Sequence, residues 1–351
     1  MAAYTTINDP EAYFQTKIYT GTGSSLSPTF DGDTDMQPDL VWFKQRSGTQ
    51  THYLFDSVRG ATERLVPDGT QAEATATDSL TAFNSDGFTV VSDAEVNAST
   101  ETYVAWCWKA GTSFSNDASA TSIGTIDSSG SVNDTAGFSI CSFTGTGSNG
   151  SIKHGLSTVP NMIITKSRAN TENWGVYHQG IGNTHAVYLN TDAAKIDEAV
   201  YYQDTTPTSS IFTVGTADAT NDAATMIAYC FAPIQGFSKA GAYEANGNAD
   251  GPFIYTGFRP AWVMIKAVDR AEDWFILDNK RETFNAMTTR LQPNKTNAED
   301  SVATLATDFV SNGIKIRSTT NQYNASGETY VYLAFAEAPF VNSNGVPCNA
   351  R

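Results

Sequence analysis

One eight-residue pattern occurs three times in this chain with matching internal spacing, and that duplication limits the fold more than any other feature. The copies read Gln37-Pro38-Asp39-Leu40-Val41-Trp42-Phe43-Lys44, Val159-Pro160-Asn161-Met162-Ile163-Ile164-Thr165-Lys166 and Arg259-Pro260-Ala261-Trp262-Val263-Met264-Ile265-Lys266. Each lysine lies six residues beyond its proline (44−38, 166−160, 266−260). A ring residue follows at plus fourteen (His52, Trp174, Trp274) and a polar residue at plus eighteen (Asp56, His178, Asp278). Agreement in register over such distances marks a duplicated module. Duplicated modules build scaffolds and surfaces, whereas an enzyme needs one set of distinct groups, and no copy holds a unique one.

The copies also end alike, in Glu101-Thr102-Tyr103-Val104-Ala105-Trp106-Cys107-Trp108, Thr225-Met226-Ile227-Ala228-Tyr229-Cys230-Phe231 and Glu328-Thr329-Tyr330-Val331-Tyr332-Leu333-Ala334-Phe335. An asparagine (Asn97, Asn221, Asn324) precedes each last aromatic by eleven, ten and eleven residues. The spacing predicts modules over 16–110, 137–236 and 237–340, each the size of one small β domain. Residues 1–15 form an N-terminal docking segment and 341–351 a C-terminal tail. The Ser-, Thr-, Asp- and Gly-rich stretch 111–136 reads as a linker or arm.

The apolar runs are short, β-branched and aromatic, and turn residues bound them. That pattern predicts an all-β fold of three related antiparallel β-sandwich or jelly-roll-like modules in tandem. The strand after each proline is apolar on both faces, which predicts a central strand covered twice, by a neighbouring module or by another copy of the chain. Closing a turn through 45–51 sets Lys44 opposite His52, and the same arithmetic sets Lys166 against Trp174 and Lys266 against Trp274. A cation over a ring is the expected contact, worth about 0.5–1 kcal/mol when exposed.

Charge narrows the partners. Asp and Glu number 37 against 21 Lys and Arg, a formal charge of −16. No basic cluster appears, which argues against nucleic acid and anionic membrane surfaces. The N-terminus lacks the pattern of a secretory signal, and no apolar run is long enough for a membrane helix, so the expectation is synthesis in a cytoplasm. Cys107 and Cys230 occupy one repeat position beside Ala334 of the third copy, and Cys141 and Cys348 complete the set. Buried, reduced thiols are the expectation.

Several motifs reduce to turns or loops. Gly145-Thr146-Gly147-Ser148-Asn149-Gly150 fits a dinucleotide fingerprint, but Ser151-Ile152-Lys153-His154-Gly155 does not open the helix such a site needs. Asp31-Gly32-Asp33-Thr34-Asp35 starts like a calcium loop, then places Met36 where the glycine belongs and Trp42 where the glutamate belongs. A solvated acidic loop is the better reading. His52, His154, His178 and His185 show no zinc spacing. No catalytic, cofactor-binding or metal residues are assigned, and no cofactor is expected.

Met1-Ala2-Ala3-Tyr4-Thr5-Thr6-Ile7-Asn8-Asp9-Pro10-Glu11-Ala12-Tyr13-Phe14, Leu54-Phe55-Asp56-Ser57-Val58-Arg59-Gly60-Ala61-Thr62 and Asp250-Gly251-Pro252-Phe253-Ile254-Tyr255-Thr256-Gly257-Phe258-Arg259-Pro260 resemble a family of virion structural proteins from marine tailed bacteriophages. So do Ser142-Phe143-Thr144-Gly145-Thr146-Gly147, His154-Gly155-Leu156 and Glu172-Asn173-Trp174. The resemblance spans nearly the whole chain. It implies a non-enzymatic virion component, a tail fibre or surface appendage contacting the host, with a capsid-decorating protein as the alternative and a glycan-degrading tailspike third. It also implies other virion proteins as partners, a homo-oligomer (a trimer above all), and host surface glycan as a ligand.

Overall fold

Each copy of the repeat folds into the same four antiparallel strands. A lead strand (Phe14–Thr20, Phe138–Thr144, Ser238–Glu244) comes first, then a proline strand (Leu40–Gln45, Met162–Ser167, Phe258–Ala267). A return strand (Tyr53–Asp56, Gly175–His178, Trp274–Asp278) and a closing strand (Thr102–Trp108, Thr225–Phe231, Thr329–Pro339) follow. Their spatial order is lead, closing, proline, return in all three sheets. The computed structural model describes residues 3–349. Met1, Ala2, Ala350 and Arg351, at the outer ends of the two expected terminal segments, lie outside the described residues.

Register shows the equivalence directly. Leu40, Met162 and Trp262 face Asp56, His178 and Asp278 on one side. On the other side they face Trp108, Phe231 and Phe335. Pro38, Pro160 and Pro260 therefore hold the same place in three copies. The first two proline strands are buried at every position, as is the third from Trp262 onward. Chains rich in β-branched and aromatic side chains fit such twice-covered strands.

The two covers differ. Outward, each sheet carries a small second layer: Leu80–Phe83 with Phe88–Val90, Gly150–Lys153 with Ile211–Val214, and Phe253–Tyr255 with Gly313–Ile316 and Thr307–Val310. Val41, Phe43, Phe55, Phe88 and Cys107 fill the space between layers in the first module, and Ile163, Tyr177, Phe212 and Cys230 in the second. Inward, the three sheets share one core. Trp108, Phe231 and Phe335, which occupy one repeat position, form a triangle with ring centroids 6.4, 6.0 and 5.7 Å apart. The modules thus close around a pseudo-threefold axis, and the second cover of each proline strand comes from its neighbours in the same chain.

The expected linker is different in kind. Thr112–Asn116 and Ser128–Asn133 extend the second module's sheet beyond its lead strand, with Ser129 opposite Ser142 and Ser131 opposite Ile140. Its small polar residues suit close backbone approach at a sheet edge. A Cβ on Gly130 would stand 1.9 Å from the Ile140 carbonyl oxygen. Composition alone cannot separate such an arm from a flexible linker. The first module also begins earlier than position 16, since Phe14 and Gln15 already pair with Trp108 and Cys107.

The terminal segments dock on the third module. Tyr4 Oη donates to the Gly257 carbonyl at 2.9 Å and Cys348 Sγ to the Ser311 carbonyl at 3.1 Å, while Asn8 Nδ2 ties the two segments together through Ser343 Oγ at 2.7 Å.

Candidate functional site

The recurring spacing inside the repeat builds the joints between modules. The plus-fourteen ring of each module reaches back into the previous one. Trp174 Nε1 donates to the Val66 and Gly69 carbonyls (2.9 and 3.1 Å), Trp274 Nε1 to Tyr188 O (2.9 Å), and His52 Nε2 lies 3.0 Å from Gln292 O. His52 Nδ1 already accepts from Trp42 Nε1, so the proton sits on Nε2 and this nitrogen donates. Three backbone bonds of 2.8 Å repeat the cycle: Glu73 N to Arg168 O, Lys195 N to Val268 O, Glu299 N to Arg46 O. First joins third, second joins first, third joins second.

The plus-eighteen residues complete the ring in the opposite sense. Asp56 Oδ2 accepts from Tyr229 Oη at 2.7 Å, and Asp278 Oδ2 accepts from Trp106 Nε1 at 2.9 Å. His178 lies 3.1 Å from Tyr332 O through Nε2, while its Nδ1 accepts from Gly180 N. Beside each aspartate stands an arginine three residues on. Arg59 Nε meets Asp56 Oδ2 at 2.5 Å, and Arg59 Nη1 meets Glu73 at 3.0 Å, which in turn holds Arg168 at 2.7 Å. Arg281, Asp278, Glu299 and Arg46 repeat that chain at 2.5, 3.0 and 2.8 Å. In the second module Ile181 replaces the arginine.

The repeat lysines are wholly buried, and they do not lie over rings. Lys266 does pair with Trp274 in register, as the hairpin arithmetic requires. Yet each ammonium turns to carbonyl oxygens: Lys44 to Gln45 and Gly48, Lys166 to Ser167, Asn170 and Thr70, Lys266 to Ala267 and Asp192. In a buried joint, a charged donor gains more from unpaired carbonyls than from a ring face. Burial pushes all three lysines down to about 8.

The repeated asparagines are clamps. Asn97, Asn221 and Asn324 each accept, through Oδ1, from the backbone of the turn after the lead strand (Thr22, Thr146, Asn246) at 2.9 Å. Their Nδ2 atoms donate to Ser24 and Val91, Ser148 and Gly215, Asn248 and Ser318 carbonyls. The glycine-rich fingerprint at 145–150 is one of these clamped turns.

The other sequence candidates are scattered. In the acidic loop, Asp31 pairs with Lys17 at 2.5 Å and Thr34 donates to Asp9. Burial holds His154 and His178 down at about 4 and His52 well below its ordinary range, so all three are neutral. His185 lies apart, 3.8 Å from Asp197. Among the described residues no three His, Cys, Asp or Glu side chains converge as a metal set. Cys107, Cys141, Cys230 and Cys348 are free, and the first three are buried, as expected. Burial raises Cys230 to about 12 and Cys107 and Cys141 well above the usual thiol range.

All six tryptophans are buried, so none serves as a surface platform. Two other rings stand out. Phe253 and Tyr255 are 49% and 46% exposed on the outward face of one short strand, with Ile254 between them in the core. They edge a groove of about 540 Å³ whose floor is the third lead strand and whose far wall is Asn161, Gln179 and Pro233 of the second module. Lys239 reaches across its end to the Tyr255 carbonyl at 2.6 Å. Pairing with the outer hairpin places Ser27 and Thr29, and Ser151 and Lys153, at the same two positions in the other modules. Sequence reasoning passes over these rings because the signal lies in a departure from the repeat, visible once the outer strands are aligned.

The model of a domain of unknown function, DUF7483, matches residues 9–339. No curated protein and no solved structure matches the chain. A match that runs from the N-terminal docking segment through all three modules makes this chain a member of the DUF7483 family.

Proposed function

We propose that this chain is a structural protein of a bacteriophage virion, a tail fibre or similar surface appendage that contacts the host and performs no catalysis. The observation that carries the reading is the closed ring. The recurring polar residues of the repeat, lysine, ring residue, aspartate or histidine, and asparagine, are engaged in joints and clamps within the chain. Such a design supports rigid display, with loops and the groove on the third module left to meet partners. Other virion proteins are the proposed partners. A homotrimer, expected from the family resemblance, would assemble around units that each already carry threefold order.

Locating the chain in the particle tests the proposal. Labelled antibody against the purified chain should decorate intact virions at the tail, and the chain should bind host cells. Decoration of the head lattice would replace the appendage with a capsid-decorating role. A chain missing from virions, or one that turns over a small substrate, would overturn the reading. Light scattering separates one chain from three.

A further inference from the structure

We infer that the groove on the third module is a docking site for an extended strand of a partner polypeptide, added to the edge of Ser238–Glu244. Three equivalent grooves exist: the chain fills one with its own arm, narrows another with a loop, and leaves the third the widest. In the second module, Ser128–Asn133 pairs along the lead strand, and Ser128 Oγ donates to the Lys153 carbonyl of the outer strand at 2.8 Å. In the first module, the loop at 30–36 lies against the lead strand through Gln15 Nε2 to Thr34 O and Lys17 to Asp31, and reduces the groove to a pocket of about 190 Å³ between Thr16 and Asn279. In the third, just Thr256 and Gly257 separate the outer strand Phe253–Tyr255 from the proline strand, a link too short to cover the groove.

The open edge has the right hydrogen-bonding polarity. Ser238 exchanges both backbone bonds with Ile234, away from the closing strand, while Phe237 O and Ala245 N bond toward it. Alternation therefore turns the N–H and C=O of Ala240 and Ala242 into the groove. Their counterparts Ile140 and Ser142, set by the shared register with the closing strands, are opposite Ser131 and Ser129 of the arm. An edge left open in this way is a template for strand addition. Phe253 and Tyr255 supply the apolar contact that anchors an added strand. The groove is continuous with the joint between the second and third modules, through Asn161, Gln179 and Pro233. The chain carries −16 and Glu244 is exposed at the end of the edge, so the occupant is a neutral or basic strand of small residues. The virion reading enters just in naming the occupant as a segment of another particle protein.

The test uses the full chain and a fluorescein-labelled peptide of residues 123–133 bearing D127K, a copy of the arm that fills the equivalent groove. Saturable binding by anisotropy is expected, with the amides of 240–244 protected from hydrogen exchange. Ala242→Pro removes one outward N–H and no bond to the closing strand, so it should fold and weaken binding at least about tenfold. The double variant F253S/Y255K, which installs the second module's residues, should weaken it by a similar factor, and it decides the matter if the proline variant does not fold. No saturable binding to the wild-type chain, or equal binding to the variants, would overturn the inference. So would a neutral glucan hexamer that binds through the two rings and is indifferent to Ala242→Pro, since that marks a sugar site. Failure here leaves the virion assignment standing, because particle localisation is read independently.

Discussion

The plus-eighteen positions of the first and third modules set a buried Asp–Arg pair into their joints, while that of the second sets a neutral histidine, although backbone geometry is the same at all three. The histidine joint carries an ion pair, Lys195 with Asp269, at its partly exposed rim. Asp56 and Asp278 each need a donor from the facing closing strand, and Tyr229 and Trp106 provide one. His178 is itself a donor, and at the facing position stands Leu333, which offers none; the histidine bonds to the Tyr332 carbonyl instead. The side chains thus form a lock that permits one cyclic order. Exchanging modules would set Asp56 against a leucine and His178 against the tryptophan donor Trp106. Buried ion pairs contribute little net stability over a well-packed apolar pair, and their attested use is to select among arrangements. The histidine joint shows that the geometry does not require a buried Asp–Arg pair.

Removing the charge from one partner alone should have the largest effect. Asp278→Ala strips Arg281 and the Trp106 indole of their acceptor in a fully buried site, and about 3–5 kcal/mol of stability should be lost. The pair D56H/R59I, which transplants the second module's solution into the first, should lose clearly less than Asp56→Ala. Denaturant unfolding measures both. If the transplant costs as much as the single deletion, the comparison between joints fails.

Acid should next distinguish the histidine joint. Burial puts His178 at about 4 in the folded chain, below its ordinary value of 6.5. Below pH 6.5 the unfolded state takes up a proton that the folded state refuses until about pH 4, so stability falls as pH drops through that window. The full shift corresponds to about 3 kcal/mol. His178→Gln should flatten the fall by that amount. His154 and His52 are depressed in the same direction and should leave a residual slope in that variant. An unchanged slope would remove His178 from the acid response.

A smaller effect is expected where the ring at plus fourteen loses its donor. Trp174→Phe keeps the packing and abandons the Val66 and Gly69 carbonyls, for about 1–3 kcal/mol by the same unfolding measurement. A cost near zero would mean the repeat keeps this ring for its volume.

Much of this is legible in the sequence because equal spacing forces equal register. The register that sets lysine against ring, the central proline strand and the buried thiols follow from positions and periodicity, whereas the expected cation-over-ring contact does not form. What the lysines bond to does not follow, since the acceptors are backbone carbonyls of turns and neighbouring modules, which no side-chain pattern encodes. Arg59 and Arg281 do not stand out because the second module carries Ile181 there, so the triple agreement breaks. The arm at 111–136 passes for a linker for a related reason: Ser129, Gly130 and Ser131 are small in order to pair closely, and smallness also describes a linker. Closure of the ring is not readable at all, because the inner faces are apolar whether they meet one another or a second chain.

The smallest effect should come at the position where the repeat itself supplies the variant. Cys107, Cys230 and Ala334 pair with Val41, Ile163 and Val263 respectively, and all three are fully buried. The third module shows that a methyl group satisfies this site, and the thiols make no charged species there, being raised by burial. Cys107→Ala and Cys230→Ala should each cost about 1 kcal/mol, the loss of one sulfur-sized group from a packed layer. Thiol reagent titration of the native chain should find both unreactive until unfolding. A cost above about 3 kcal/mol would place these layers in the class of tightly filled cores that cannot relax around a small cavity. The outer layers of the first two modules would then be packed more rigidly than the third, and the equivalence of the modules would hold for their joints but not for their cores.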